Sequence, residues 1–484
     1  MEIKYVIALA LIAVLTVVCV VSACLSQRMR ALMFFLLVGG AVLTERMDVN
    51  FFSLEWYRGT TRGIEISLID IFAVSILAAS LLAPRYQGAR WYWPVGLSTV
   101  GIYLIYCCFS VLISEPKIFG VFELSKLVRG LVIFLAAAMF IRTSREVRLL
   151  VLGLTCAVFL EGVLGLRQRL MMGMDRVAGS LDHANSLSMY LCLVTPVLVA
   201  AAAADFPRWV RTLSFTGIGV AACTMMLTIS RAGIPMFALV VLGTAAWAIS
   251  WRITLKKIVF GMVIMVAAGL LIIASWRPLM ARYDEASLKE EYLDTDAGNE
   301  GRGVYLRLAA MIVKDHFFGL GLNNWSYGVS KTYGAREGLI YGDYDDSFFP
   351  SKRVSDSTVN FAAPAHNLGA LTLGELGVPG LALFALLWLR WFYAGAQFLR
   401  RRVSDPMHLV GVGIFFGMCG IFLQSLTEWV SRQTPIFITF YLLVGTLAGL
   451  CYHKKSTTKI IRAESATVGP GWMPVDTAMA TAQL

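Results

Sequence analysis

Runs of apolar residues long enough to cross a bilayer recur along almost the whole chain, and no other feature restricts its fold as strongly. A hydrocarbon core of about 30 Å takes about 20 residues of helix. Thirteen candidate runs lie near 5–25, 31–44, 64–83, 93–113, 124–141, 149–166, 184–204, 213–229, 233–251, 257–275, 367–389, 408–427 and 435–452. The run at 31–44 is short and contains glycines, which predicts a tilted or partly inserted segment. Of 484 residues, 58% are hydrophobic and 15% charged, against roughly 25% charged in an average soluble domain. The expected fold is all-α: a polytopic membrane protein of about 12–13 transmembrane helices.

Short cytoplasmic loops carry an excess of Lys and Arg. Basic clusters fall at Arg85 and Arg90, at Arg142, Arg145 and Arg148, at Arg208 and Arg211, and at Arg252, Lys256 and Lys257. Others fall at Arg400, Arg401 and Arg402 and, near the end, at Lys454, Lys455, Lys459 and Arg462. All share one side if the runs are real spans. The loops near 167–183, 229–233, 276–366 and 428–434 then face outward, as does the N-terminus. This divides the chain into a membrane domain over 1–462, with 276–366 as a large outer loop carrying a short amphipathic helix, and a disordered cytoplasmic tail over 463–484. Val21-Ser-Ala-Cys24 resembles a lipoprotein processing box, but removing the first run would conflict with the later basic loops. The nine cysteines lie in or beside apolar runs with no CxxC spacing and read as small core residues. The net charge of +11 reports topology and contact with anionic membrane lipids, not nucleic-acid binding.

Polar chemistry collects in the outer loops. A structureless loop as long as 276–366 is uncommon in a compact protein unless it is functional. Within it, Leu308, Met311, Ile312 and Phe318 follow a helical period over Val304 to Phe318. Arg302 and Arg307 sit at or near the start of that helix, where exposed amides favour an anion. A guanidinium holds phosphate oxygens in a bidentate fork, so the pair suggests a diphosphate clamp; ordinary surface arginines are the plainer alternative. Arg231, in Thr228-Ile-Ser-Arg-Ala-Gly-Ile-Pro235, is held at the membrane surface because almost no loop joins its two spans. There it either meets substrate or snorkels to lipid headgroups. The 161–185 piece adds Glu161, Arg167, Gln168, Arg169 and Arg176.

Against membrane segments otherwise nearly free of charge, Pro364-Ala-His-Asn-Leu-Gly-Ala-Leu-Thr-Leu-Gly-Glu-Leu-Gly-Val-Pro-Gly380 stands out. His366 and Asn367 mark the return of the outer loop to the membrane. Glu375, nine residues on, lies about 13 Å deeper along a helix and on the opposite face. Glu375 therefore reads as a group packed toward another helix, supporting the site from behind. His366 is a candidate general base or a hydrogen-bonding orienter.

Four pieces resemble one family in order. They are Arg176-Val-Ala-Gly-Ser-Leu-Asp-His-Ala-Asn185 entering a membrane helix, the Ser230-Arg-Ala-Gly233 turn, Phe318-Gly-Leu-Gly321 after an amphipathic helix, and Ala365-His-Asn followed by Glu375-Leu-Gly377. Together they resemble the O-antigen ligase and polysaccharide polymerase superfamily of bacterial envelope enzymes over roughly 160–390. The resemblance implies a glycosyltransferase of GT-C type in the bacterial inner membrane, inverting, with no metal and no cofactor. Its donor would be an undecaprenyl-diphosphate-linked glycan at the periplasmic face, and its acceptor lipid A core or a second lipid-linked glycan. Other polysaccharide assembly proteins would be partners. Carried onto this chain, Arg231 with Arg302 or Arg307 would hold the diphosphate, and His366 would assist the acceptor hydroxyl. Arg176, Arg167, Gln168, Arg169 and Asn367 would contact substrate. The Tyr341-Gly-Asp-Tyr-Asp-Asp346 piece departs from the family pattern.

The chemistry itself asks for little more. A diphosphate is a good leaving group, so the protein has to neutralise it and orient a hydroxyl for in-line attack. The sequence leaves ligase and polymerase both open, with the tyrosine-rich and acid-rich outer loop favouring polymerase slightly. A flippase or transporter of lipid-linked oligosaccharide would be expected to show interrupted helices and charges in matching halves, whereas here the polar groups gather on one face. A non-catalytic partner of an assembly complex is the remaining alternative.

Overall fold

The computed structural model describes residues 3–83, 91–249, 280, 302–339, 341 and 361–467. Among these, the chain is almost entirely helical. The long helices are α1 (Ile3–Leu25), α2 (Gln27–Gly40), α4 (Leu68–Leu82), α5 (Leu97–Ile113), α6 (Lys117–Phe140), α7 (Ser144–Leu170), α8 (Ala184–Ala203), α9 (Arg208–Thr228) and α10 (Gly233–Ala248). After them come α11 (Arg302–Asp315), α14 (Leu368–Ala396), α15 (Pro406–Ser425) and α16 (Thr434–Thr467). Short turns α3 (Thr44–Met47), α12 (Trp325–Gly328) and α13 (Gly334–Arg336) complete the helices. A two-stranded sheet pairs β1 (Val49–Phe51) with β2 (Ile64–Ile66), Asn50 opposite Glu65.

Twelve of the thirteen apolar runs fall on helices, and the run at 257–275 lies outside the described residues. Among the described residues, eight helices are long and apolar enough to cross a membrane, and α4, α5 and α10 are shorter apolar helices. This is an all-α polytopic membrane protein. The short run at 31–44 belongs to a 21-residue span, because a 3-10 turn at Ala41–Leu43 carries α2 on into α3. The last helix runs through Thr467, into the segment expected as a tail.

Helix starts follow local chemistry. Thr143 with Glu146 and Ser67 with Asp70 form capping boxes that satisfy the first amides of α7 and α4. Asp405 caps α15 with Pro406 at its first position, where the missing N–H costs nothing. Helices α8 and α16 are central, with 89% and 94% of their spanning windows buried, while α1 at 11% is peripheral. In α15, Gly413, Gly417 and Gly420 lie against the backbone of Leu193, Cys192 and Pro196 in α8. Small residues at this spacing let two membrane helices approach to backbone contact, which supplies dispersion where no hydrophobic drive remains.

One helix is broken. Within α14, Gly377 has φ 66° and ψ −169°, and Pro379 follows in the first turn of the second half. The freed backbone groups pair with the Gly-x-Gly turn after α11. Leu320 N–H donates to Gly374 O (2.9 Å), Gly321 N–H to Glu375 O (2.8 Å), and Val378 N–H to Phe317 O (3.2 Å). Gly319, with φ 81°, and Gly377 both lie where a side chain would be strained and would strike the facing backbone. Irregular backbone at membrane depth is tolerated where it is buried in protein like this.

Candidate active site

At one end of the bundle the β1–β2 loop, the turns after α5, α7, α9 and α15, and residues 302–339 and 361–367 meet through direct hydrogen bonds. Asn324 reaches Pro116, Arg176 reaches Thr228, Asn185 reaches Glu428, and Tyr57 reaches Asn323. The basic clusters among the described residues lie at the other end, where Arg142 stacks on Tyr92 and Tyr452, Arg402 on Trp247, and Lys454 bonds Gln397 O; those at 85–90 and 252–257 lie outside the described residues. The polar loops therefore share one face, as the basic runs predict.

His366 lies just before α14, whose N-cap is Asn367. Its Nδ1 is 2.9 Å from Oε2 of Glu428, which is buried while the imidazole is 39% exposed. Oε1 of Glu428 accepts from Asn185 Nδ2 (2.8 Å). Asn185 Oδ1 in turn accepts from Arg176 Nη2 (3.0 Å) and Ser230 Oγ (3.2 Å). Arg176 also donates to Thr228 O (3.2 Å). The relay from His366 through Glu428 and Asn185 thus ends on a guanidinium and on the turn that holds Arg231. That turn is set by Ile229, a β-branched residue at φ 48° and ψ 42° closing α9. Such a conformation costs about 1–3 kcal/mol and persists only when its surroundings impose it. Here it turns Ser230 inward and leaves Arg231 half-buried beside it.

An ionised carboxylate has no proton to give. With Glu428 ionised, Nδ1 of His366 donates to it and Nε2 of the neutral ring is left as the acceptor. This is the arrangement by which a carboxylate sets the tautomer of a basic imidazole.

The structure brings Arg176, Arg231 and His366 into this neighbourhood and places other expected residues elsewhere. The carbonyl of Gln168 accepts from Ala178 N and Gly179 N while its amide donates to Gly179 O (2.7 Å), so the side chain is spent on shaping the loop. Arg169 closes the same loop onto Met174 O and Asp175. Arg167 is exposed at the end of α7. Glu161 is buried and accepts from Ser180 N–H and Oγ. Asn367 accepts from Ala370 N and donates to Leu426 O (2.8 Å), tying α14 to the turn that bears Glu428.

Helix α11 is amphipathic as expected, burying Val304, Tyr305, Leu308, Ala309 and Ile312. It ends at Asp315, so Phe318 is not on its face; that ring is half-exposed and packs edge-on against Phe109. Tyr305 lies 5.9 Å from the His366 ring. Arg307, about 200° further round, is exposed and bonds Glu337 (3.0 Å), away from the histidine. Position 302, three residues before Tyr305, shares the Tyr305 face by helical period; the Arg302 side chain lies outside the described residues, as do residues 342–346.

Glu375 belongs to a second cluster. It bonds not another spanning helix but Arg432 (2.6 Å), on the Val430–Arg432 turn between α15 and α16. Arg432 also meets Glu123 (3.1 Å), and Glu123 pairs with Lys126 (2.8 Å), whose ammonium donates to Arg432 O (2.7 Å). Burial works against the charge of Arg432, but the Glu123 and Glu375 carboxylates outweigh it and hold the guanidinium firmly protonated. Arg129, on the same helix α6, is ringed by Asp48, Glu65 and Asp70 at 3.0–3.6 Å. The expectation of nearly charge-free spans fails at α6, where Glu123, Lys126 and Arg129 point inward to partners. Charges at such depth are stable only when paired.

Glu428, Asn185, Ser230, Arg432, Glu123 and Lys126 escaped the sequence reading as site residues. Asn185 and Ser230 stand inside the quoted motifs. Glu428 and Arg432 stand in a short outer turn between two apolar runs, the same boundary position that singled out His366.

The fold and site define a polytopic membrane protein whose loops at one end of the bundle assemble a histidine–carboxylate pair beside arginines. Residues 216–385, from α9 through the broken α14, match the family model described as O-antigen ligase. Over that span the chain is similar to the O-antigen ligase family, in agreement with the resemblance carried by its motifs. The matched span holds Arg231, His366 and Glu375, while Asn185, Glu428 and Arg432 fall outside it. No curated protein matches the chain.

Proposed function

We propose that this chain transfers a glycan from a lipid diphosphate carrier to an acceptor hydroxyl at the periplasmic face of the bacterial inner membrane, without a metal. The observation that carries the reading is the His366–Glu428 pair, oriented through Asn185 and set beside two arginines. The acceptor hydroxyl gives its proton to Nε2 of His366 as its oxygen bonds the anomeric carbon. The bond from that carbon to the diphosphate breaks on the opposite face, which inverts the centre. Glu428 stabilises the imidazolium, as the buried carboxylate of a hydrolytic triad does. Arg231 and Arg302 take up the charge on the leaving diphosphate, and Arg176 fixes the turn from below. Arg302 is preferred to Arg307 because only position 302 shares the Tyr305 face. The acceptor is lipid A core in a ligase and a second lipid-linked glycan in a polymerase.

The test is turnover of purified, reconstituted protein on lipid-linked glycan, measured as released carrier diphosphate. His366→Ala should lower it by about 10² to 10⁴, the share of general-base assistance. Retention of the wild-type rate would sink the mechanism. His366→Gln separates base from orienter, since it hydrogen-bonds but takes no proton. Sidedness is checked with single cysteines at the exposed positions Asp175 and Thr332. An impermeant thiol reagent should label both in intact spheroplasts.

A further inference from the structure

The geometry points to a second ligand site on the same face, a carbohydrate-binding subsite in a cleft behind the C-terminal end of α11. The cleft has a volume of about 420 Å³ and is bounded by the Ser114-Glu115 turn, by Asp315 and His316, and by the stretch from Tyr327 to Arg336. That is the size of an ordinary small-ligand pocket, about 300–1,000 Å³. Neither His366 nor the arginines beside it line this cleft. Tyr305 abuts His366, and Asp315 is ten residues further along the same helix. The cleft therefore lies about 15 Å from the imidazole along α11.

Its lining selects among ligands. The carboxylates of Glu115 and Asp315 stand against the cations of Lys331 and Arg336. Asp315 bonds Arg336 (2.5 Å) and accepts from the Tyr333 hydroxyl (3.1 Å), and Lys331 donates to the Tyr327 hydroxyl (3.1 Å). Opposed charges give no net field to attract a diphosphate. What the wall offers is alternating donors and acceptors carried on tyrosine rings, which present an apolar body and a polar tip. A sugar ring has the complementary character, with hydroxyls at its edge and C–H groups on its faces. Resting on the glycan-transfer reading, the inference is that this cleft holds the chain several sugars from the reacting end while that end lies at His366.

Full-length protein in detergent is titrated by calorimetry with two lipid-free probes: glycan released from its carrier by mild acid, and core oligosaccharide released from lipid A. Binding of the first assigns the cleft to the carrier-linked chain, and binding of the second to the core acceptor. Either affinity should weaken at least ten-fold in His316→Ala/Lys331→Ala, whose side chains are exposed and whose loss leaves the packed residues in place. Absence of binding by the wild-type protein, or equal affinity in the double variant, overturns the subsite. So does binding of inorganic pyrophosphate that the same double substitution abolishes, since the cleft is then an anion site. The catalytic reading fails separately: if His366→Ala keeps its turnover while the cleft variant loses glycan, the subsite stands and the mechanism does not.

Discussion

Glu428 presents one carboxylate oxygen to Nδ1 of His366 at 2.9 Å and the other to the amide of Asn185 at 2.8 Å. Both oxygens are thereby committed, which makes an isosteric change unusually informative. In Glu428→Gln the carbonyl has to face the Asn185 donor, so the new NH₂ turns toward His366. Nδ1 then accepts, Nε2 carries the proton, and the base is lost. Turnover should fall by about 10² or more with little change in protein yield, as wrong-tautomer variants do. Near-wild-type turnover would show that Glu428 only packs the histidine.

Arg302 and Arg307 are separated by the face of α11 they occupy. Arg302→Lys should lower turnover steeply because the fork is lost while the charge stays. Arg307→Lys should leave it within about two-fold, since that side chain is exposed and paired to Glu337, and exposed pairs contribute about 0–1 kcal/mol. The opposite ranking would move the diphosphate to the other face of the helix.

The Arg432 cluster is expected to act on stability. Arg432→Met strands the Glu375 carboxylate and leaves Glu123 with Lys126 as its cation, and breaking a buried pair costs about 3–5 kcal/mol. The double change Arg432→Met/Glu375→Leu removes the stranded charge and should recover part of that loss. Thermal unfolding in detergent measures both. A double variant no more stable than the single one would mean that Glu375 is not the group under strain.

Gly377→Ala places a side chain at φ 66° and into the backbone of Phe317 and Phe318. Strain of about 1–3 kcal/mol plus the clash should lower yield and thermal stability together. The exposed Gly338, at φ 75° with open space around it, should carry alanine at the cost of strain alone. Equal losses at the two positions would remove the close approach as the cause.

Much of this architecture could be read along the chain. Apolar length marks a spanning helix wherever it occurs, so twelve runs fall on helices. Tight backbone approaches leave glycines behind, which is why Gly319-Leu-Gly321 and Gly377 were visible as motifs before their pairing was known. Pairings between distant residues leave no such local mark. Glu428 and His366 are 62 positions apart, and Arg432 and Glu123 are 309. On α6, Glu123, Lys126 and Arg129 follow a three-residue spacing that puts them on one helix face. Their charge lowers the hydropathy of the run without revealing which distant groups neutralise it. Gln168 and Arg169 show the converse: polar residues in an outer loop look alike in sequence whether they meet substrate or their own backbone.

The pairing of Phe317–Gly321 with Gly374–Val378 also bears on how loops can be exchanged between this chain and similar proteins. Grafting a foreign outer loop that stops before α14 would separate two halves of one hydrogen-bonded unit, leaving the interrupted helix with backbone groups unmet inside the bilayer. The portable cassette is therefore the whole stretch from α11 to Pro379. Chimeras built to swap glycan preference have to cut in the second half of α14, beyond the break.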